Sequence, residues 1–471
     1  MITVSTSEVA DVLETALPEN PAIPNSAPFP AVSIDTRRLQ PGDCFVAIQG
    51  DRFDGHDFID EAVARGARMV VHSRPRPATG CDSGVGFLRV GDTTAALQRL
   101  ARCAREKWSG PLVAVTGSMG KTTSRRFAAT LLRQRYQVCE SPGNLNNHFG
   151  LPLSLLGLQD DDEVAVVELG MNHPGEIRSL SLLCQPDVVV MTNVAPVHLE
   201  SFRSVDHIAE AKAEILEGLR DGGTLLFNGD DERLCSIARR FPGPSLDFGT
   251  GRDHRVQVAA RTRPSLEGMK VAVRTPTGHF QDWVPLFGKH HLYNIAAAVA
   301  VAVTLGLSDG QIQQGMGDLV ALDQRGRIRS MSPAGGVSLT LIDESYNSNP
   351  AALRSVLEDF AGWAWQGRKL AVLGDMLELG ESAPGFHRDT GRLLASLRMD
   401  LLVTVGNLAL HIREGALEAG MSSHQVFSAA EAGAAATLLG GLVQDGDLVL
   451  VKGSRGLGLD RMIRMLEERV A

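Results

Sequence analysis

Apolar residues in this chain cluster in short unbroken runs. LVAVTG, VAVVEL, DVVVMTNV and TLLFN lie in its middle part, and SLTLID, KLAVLGD, LLVTVG and DLVLVKG toward its end. Runs of this kind, bounded by turn residues, predict strands buried on both faces. The segments between them carry helically spaced apolar positions, as in TTSRRFAATLLRQR and SVDHIAEAKAEILEGL. Strand and helix in alternation predict parallel sheets with helices on both sides, an α/β fold. The stretch 245–284 reads as richer in β-structure, and the Ala-rich NIAAAVAVAVTLG after it as a helix. The first part differs: short strands (AVSID, DCFVAIQG, ARMVVHS, GFLRV) mix with helices, and TTAALQRLARCAREKW ends at the breaker Ser109-Gly110-Pro111.

Three domains follow: a mixed α/β unit over 1–108, a central parallel-sheet unit over 109–326, and a doubly wound, Rossmann-like unit over 327–471. The length of 471 residues agrees with this at about 100–200 residues per domain. The formal charge is −9 and no long basic run occurs, which argues against nucleic-acid or membrane-surface binding. An acidic protein that holds anions must then use local devices: helix N-termini, single lysines and arginines, or a divalent metal. Only seven of the 46 basic residues are lysine (107, 121, 212, 270, 289, 369 and 452), so a lysine here is more often present for its own chemistry. The six cysteines are scattered without a CxxC pair, as in a reducing compartment. MITVSTSEVADVLETALPEN lacks the basic start and apolar core of a signal peptide. The longest apolar run, near 295–307, is short of the roughly 20 residues that span a bilayer. A cytoplasmic location, with no membrane insertion, is expected.

The chemistry starts at LVAVTGSMGKTTSRRF. A buried strand runs into a glycine loop (Gly117, Ser118, Gly120), and Lys121-Thr122-Thr123 opens a helix. Glycines let backbone approach a polyphosphate, and the N–H groups and dipole of the helix start favour its charge. Lys121 is placed to reach the terminal phosphates and the Thr122 hydroxyl to hold Mg²⁺. The loop departs from GxxxxGK[ST] in carrying Val115 where the first glycine belongs. Two further strand ends add Glu168, in VAVVELGMN, and His198, in DVVVMTNVAPVHLE. Taken singly, these are a strand-end acid and a loop histidine. Ligands of open parallel sheets sit beyond the strands' carboxyl ends, so Thr122, Glu168 and His198 are expected to converge on one metal.

With these motifs in hand, the chain resembles the Mur ligases over essentially its whole length. That family extends the peptidoglycan precursor one amide bond at a time, using ATP. TGSMGKTT, VVELGMN and NVAPVHLE match its motifs, as does Asn294 in HHLYNIAAA, where the family contacts adenine. The resemblance implies an ATP-site arginine before the third domain, Arg327 with Arg325 as the alternative, and a ribose-holding acid, Asp343 in LIDESYNSNP. It implies that Lys212 is used as a carbamate formed with CO₂, a fourth metal ligand beside Thr122, Glu168 and His198; alone, Lys212 reads as a solvated helix lysine. SIDTRRLQPGDCFVAIQGDRFDGHDF, with Ser33, Asp35 and Arg37, resembles the family's UDP-holding domain. PGNLNNHFGLP, with Asn144, Asn146 and Asn147, resembles its precursor-binding loop.

Within the family, DESYNSNP, LGDMLELGE and LVKGSRG favour the branch that adds D-alanyl-D-alanine to UDP-muramoyl-tripeptide, and Asn347 and Asn349 are its expected dipeptide contacts. The Asp-Asn-Pro-Arg and Gly-Lys-Gly-His-Glu motifs of the branch adding the third amino acid are absent. The reaction implied runs through an acyl phosphate on a chain working as a monomer, with catalysis carried by Lys121, Lys212, His198 and Glu168. Other readings of the same loop are a different amide ligase of the superfamily, a P-loop kinase, or a nucleotide switch.

Overall fold

The computed structural model describes residues 5–16, 26–50, 53–75, 84–332 and 337–468. Cys81 and part of the N-terminal stretch read for a signal peptide lie outside the described residues. Three sheets carry the chain. The first is parallel, in the order β1 (Val32–Ser33), β2 (Cys44–Val46), β3 (Met69–His72), β4 (Gly86–Arg89). Helix Thr93–Lys107 follows, its first turn capped by Asp92, whose carboxylate accepts from Thr94 and Ala95 N–H. Arg105 of this helix is wholly buried and ties it to the next sheet. Its guanidinium donates to Cys184 O at 2.8 Å and to Asp187 at 2.9 Å.

The second sheet is built from β5 (Leu112–Thr116), β6 (Val138–Glu140), β7 (Val164–Glu168), β8 (Val188–Met191), β9 (Thr224–Asn228), β10 (Ser245–Gly249), β11 (Val256–Ala260), β12 (Met269–Arg274) and β13 (His279–Val284). Its spatial order is β13-β12-β11-β10-β9-β8-β5-β7-β6. Strands β6 through β11 run parallel, and β12 and β13 turn back antiparallel. Strand β5 lies between β7 and β8, so the chain leaves it for the sheet edge and returns on both sides. That is a topological switch point, where open sheets bind ligands. Every residue of β5, β7 and β8 is buried, which is why these strands read as unbroken apolar runs.

Helix Lys121–Leu132 packs on helix His290–Thr304 across the same core. Ala296, Ala297, Ala298, Ala300 and Ala302 are fully buried at this contact layer, small enough to let helix and sheet close on one another. The helix expected over 204–219 breaks instead, into Val205–Ala213 and a 3₁₀ turn at Glu214–Gly218. Its Glu214 carboxylate accepts from Gly175 and Arg178 N–H, capping the helix Glu176–Cys184.

The third sheet contains β14 (Arg327–Met331), β15 (Leu339–Glu344), β16 (Lys369–Gly374), β17 (Leu401–Val405), β18 (Val426–Ala429) and β19 (Asp447–Lys452), in the order β14-β15-β19-β16-β17-β18. It is parallel except for β14, an antiparallel edge strand whose mostly polar RIRSM gives no apolar run to read. Among the described residues no helix is long and apolar enough to cross a membrane.

Candidate active site

The chain after β5 turns through Gly117 (φ +151°) and Gly120 (φ +75°), a conformation that side-chain-bearing residues rarely adopt. A Cβ at Gly117 would fall 1.9 Å from Thr192 Oγ1, and one at Gly120 2.4 Å from Asn294 Oδ1. The loop is thus pressed against the Thr192 and Asn294 side chains on one side, and its other side lines the cavity described below. Ser118 and Met119 are pinned to the loop after β8, where Ser118 N–H donates to Asn193 O and Met119 N–H to Asn193 Oδ1. Lys121 then starts the helix, and its Nζ donates to Gly117 O at 2.9 Å. Burial lowers the pKa of this ammonium, opposed by the Glu168 carboxylate and reinforced by Arg325.

Register in the sheet explains the next residues. Val115 of β5 pairs with Glu168 of β7, and Thr116 with Met191 of β8. The tips of three adjacent strands therefore deliver the loop, Glu168 and the His198 segment to one place. Thr122 Oγ1 donates to Glu168 Oε2 at 2.8 Å, and Asn146 Nδ2 donates to Glu168 Oε1 at 2.8 Å. Glu168, at 2% exposure, also has the Arg125 guanidinium 3.6 Å away.

These groups line a cavity of about 900 Å³ that reaches the third domain. Ser118, Gly120, Lys121, Thr122, Thr123, Asn146, Asn147, Glu168, His198, Asn294, Asn347 and Asn349 all face it. Asn147 Oδ1 also accepts from Gly150 N–H, and Asn349 caps helix Pro350–Gly362, accepting from Ala352 N–H.

Other expected residues lie elsewhere. Arg327 is exposed, paired with Asp323, and does not face the cavity; Arg325 does, its guanidinium 3.8 Å above the Tyr346 ring. Asp343 is buried away from the cavity, held by Ser345 and Arg329, and Glu344 faces it instead. The reason is strand parity: successive side chains of β15 point to opposite faces, so only one of the Asp-Glu pair can reach the site. Ser33, Asp35 and Arg37 form their own turn by the first sheet, with Arg37 bonded to Asp35, and neither they nor Asn144 line the cavity. Lys212 sits behind its wall at 3% exposure, on a helix face where a solvated lysine would not be. Burial holds its ammonium well below the ordinary lysine range, and the like charge of Lys121 adds to this.

Residues that sequence reasoning did not single out complete the walls. Lys452, at the end of β19, donates to Glu344 Oε2 at 3.1 Å and to Asn347 O at 3.0 Å, because Glu344 and Lys452 are register partners at neighbouring strand tips. The signal was there: Lys121, Lys289 and Lys452 line the cavity and Lys212 lies behind it, so four of the seven lysines belong to this region. At the opposite end, Asp230 lines the cavity and is fixed by His254. The His254 ring bridges Asp230 (2.8 Å) and Asp247 (2.9 Å).

Burial opposes the charged form of His254, but hydrogen bonds to both aspartates outweigh it and raise the pKa. A group raised on folding stabilises the protein below its unfolded pKa and loses that contribution as pH rises through the folded value. His254→Asn is therefore expected to cost about 1–2 kcal/mol at about pH 6, and distinctly less at about pH 9, in denaturant melts. An equal cost at both would remove the charged bridge from this account.

To a divalent metal the cavity offers a threonine hydroxyl, a buried carboxylate and an imidazole, those of Thr122, Glu168 and His198. Among the described residues no cluster of three His, Cys, Asp or Glu side chains forms a cage of its own. That composition fits an ion such as Mg²⁺, which keeps waters and takes substrate phosphates as its other ligands.

Known proteins resemble this chain in both sequence and fold. Residues 29–103 match the Mur ligase family, catalytic domain; residues 115–302 the Mur ligase middle domain; and residues 326–455 the Mur ligase, glutamate ligase domain. The UDP-N-acetylmuramoyl-tripeptide–D-alanyl-D-alanine ligase of Bacillus subtilis (strain 168) is 33% identical over 437 residues, 93% of each chain. A crystal structure of MurF from Acinetobacter baumannii is 29% identical and superimposes with a TM-score of 0.86, covering 99% of this chain and 100% of that one. MurF ligase from Thermotoga maritima in complex with ADP is 28% identical with a TM-score of 0.78, covering 94% and 98%. Three matched segments in the right order, and a third of all positions shared over nearly the full length, place this chain in the Mur ligase family.

Proposed function

We propose that the protein is the ATP-dependent ligase that joins D-alanyl-D-alanine to the terminal carboxylate of UDP-N-acetylmuramoyl-tripeptide. The observation that carries this reading is the shared cavity: a phosphate loop with Lys121 and Thr122, the buried Glu168, and the Asn347, Asn349 and Lys452 wall of the third domain face one space. The activity for which the relatives are named and the ADP bound by one structural neighbour support it. Residues 1–108 would hold the UDP end of the precursor, 109–326 the nucleotide, and 327–471 the dipeptide and part of ATP, with Arg325 and Glu344 taking the places first expected of Arg327 and Asp343.

In this reaction a precursor carboxylate oxygen attacks the γ-phosphorus of ATP, and the bond to the β-phosphate oxygen breaks. An acyl phosphate and ADP result. The amine of D-alanyl-D-alanine then attacks the acyl carbon, loses a proton, and expels phosphate from the tetrahedral intermediate. Two anions must be brought together in the first step. The loop amides and Lys121 offset that charge where it develops on the phosphoryl group. Thr122, Glu168 and His198 would hold Mg²⁺, which supplies further charge neutralisation when bound. The buried Lys212, whose amine is biased toward its neutral, nucleophilic form, fits reaction with CO₂: the nitrogen adds to carbon, one proton leaves, and an anionic carbamate stands where a cation was. The cavity spans two domains, so closure around both substrates would keep water from the acyl phosphate.

Mass spectrometry of a reaction containing ATP, Mg²⁺, UDP-muramoyl-tripeptide and D-alanyl-D-alanine tests the proposal. The UDP-muramoyl-pentapeptide, ADP and free phosphate are expected, with little ADP when either co-substrate is omitted. A phosphorylated product that accumulates would mean a kinase, and amine-independent hydrolysis would sink the ligase.

A further inference from the structure

His198 and its surroundings carry a feature that the proposed reaction does not require by itself. Six described residues other than glycine have positive φ, and two of them, His198 (φ +53°) and Glu378 (φ +64°), face each other across the boundary between the second and third domains. His198 Nδ1 lies 2.5 Å from Glu378 Oε2. Such backbone conformations cost free energy and persist only where the surroundings over-determine them.

Both sides are over-determined here. On the central side, His198 O accepts from Ser201 and Phe202 N–H, and Phe202 is buried in the central core. On the other side, three consecutive residues of the DMLEL loop are anchored. Asp375 Oδ1 accepts from Ala409 N–H at 2.7 Å, Met376 N–H donates to His387 Nε2 at 2.9 Å, and Leu377 N–H donates to Ser454 Oγ at 3.0 Å. Met376 and Leu379 are buried in the third-domain core, so the loop can present Glu378 in only one way. The two segments also meet through apolar contact: Leu199, beside His198, packs on that same third-domain core. Gly380 (φ +57°) comes close to Glu200, with room for a Cβ 3.7 Å from Glu200 Cγ.

A histidine that ligates a metal through one nitrogen commonly gives the other to a carboxylate, which fixes ring orientation and tautomer. With Nδ1–H donating to Glu378, Nε2 is the nitrogen left for a ligand. We infer that Glu378 is a positioning residue: the third domain, when docked, orients His198 of the second, so the central metal site is complete only in the docked arrangement. This inference rests on the ligase reading above. It gives the LGDMLELGE motif a physical task, that of carrying information about domain position into the phosphate site. His387, buried and hydrogen-bonded at both nitrogens, belongs to the same device because it holds the loop rather than any substrate.

The test uses the full-length protein with Mn²⁺ as an electron paramagnetic resonance probe, titrated in the presence of a non-hydrolysable ATP analogue. Glu378→Ala is expected to bind Mn²⁺ about 10-fold more weakly, and to need about 10-fold more Mg²⁺ for half-maximal turnover, with KM for the UDP precursor unchanged. Glu378→Gln, which keeps an oxygen that accepts from Nδ1–H, should fall between the parent and the alanine variant. Unaltered Mn²⁺ affinity in Glu378→Ala overturns the inference. So does a loss shared equally by metal and UDP precursor, the mark of a merely structural role. Failure of the parent protein to form pentapeptide would remove the ligase reading instead, and the Mn²⁺ titration, which needs no turnover, would still decide about Glu378.

Discussion

Replacing Lys121 by methionine is expected to lower kcat by about 10²–10³-fold while leaving the protein folded. Lys121 is the single cation that the phosphate loop itself supplies, and it sits at the helix start where polyphosphate charge would gather. In the structure its Nζ bonds only a backbone carbonyl, Gly117 O, among the described residues. Methionine keeps the apolar stem and forfeits that one hydrogen bond. The loss should therefore fall on phosphoryl transfer and not on the fold. Steady-state ADP release, measured beside a thermal melt, separates the two. Near-normal turnover in a folded Lys121→Met protein would take the transferring phosphate away from this loop.

Lys212→Ala is expected to lose activity to a similar extent, about 10²-fold or more, and to regain part of it when a short carboxylic acid such as acetate is supplied. The expectation comes from an ammonium buried at 3% exposure with no acidic partner among the described residues and Lys121 as its charged neighbour. Burying an unpaired cation is costly, and conversion to an anion beside the Lys121 cation would remove the conflict. Lys212→Met, which fills the space and offers no nitrogen to CO₂, serves as the folding control and should be as inactive, without rescue. Undiminished turnover of Lys212→Ala would eliminate the carbamate; inactivity that no acid restores would leave Lys212 a structural residue.

Much of the central unit was legible along the chain. LVAVTG, VAVVEL and DVVVMTNV are apolar throughout because β5, β7 and β8 are covered on both faces, and a run of that kind admits few other readings. The glycine loop was legible for a related reason. Its chemistry is mostly backbone, and backbone geometry at Gly117 and Gly120 follows from the residues present and their immediate neighbours. Edge elements were not legible: β14 is mostly polar and β18 only partly buried, since an edge strand has one neighbour and less cover.

Side-chain direction at the domain boundary was the second thing hidden. A motif match fixes position along the chain to within a residue, whereas a strand reverses its facing at every residue. Arg325 differs from Arg327 and Glu344 from Asp343 by only one or two positions, yet Arg325 and Glu344 face the cavity while Arg327 meets solvent and Asp343 is buried against Arg329. The sequence by itself determined which strands are buried, where the phosphate loop turns, and that an acid and a histidine end the neighbouring strands. Only the tertiary structure decided that Glu344 and Lys452 form one buried pair, that Lys212 is sealed behind the wall, and that Glu378 comes from another domain to hold His198. The first and last of these are meetings between residues 108 and 180 positions apart. The local pattern of a chain encodes what a residue is covered by, but not which distant residue does the covering.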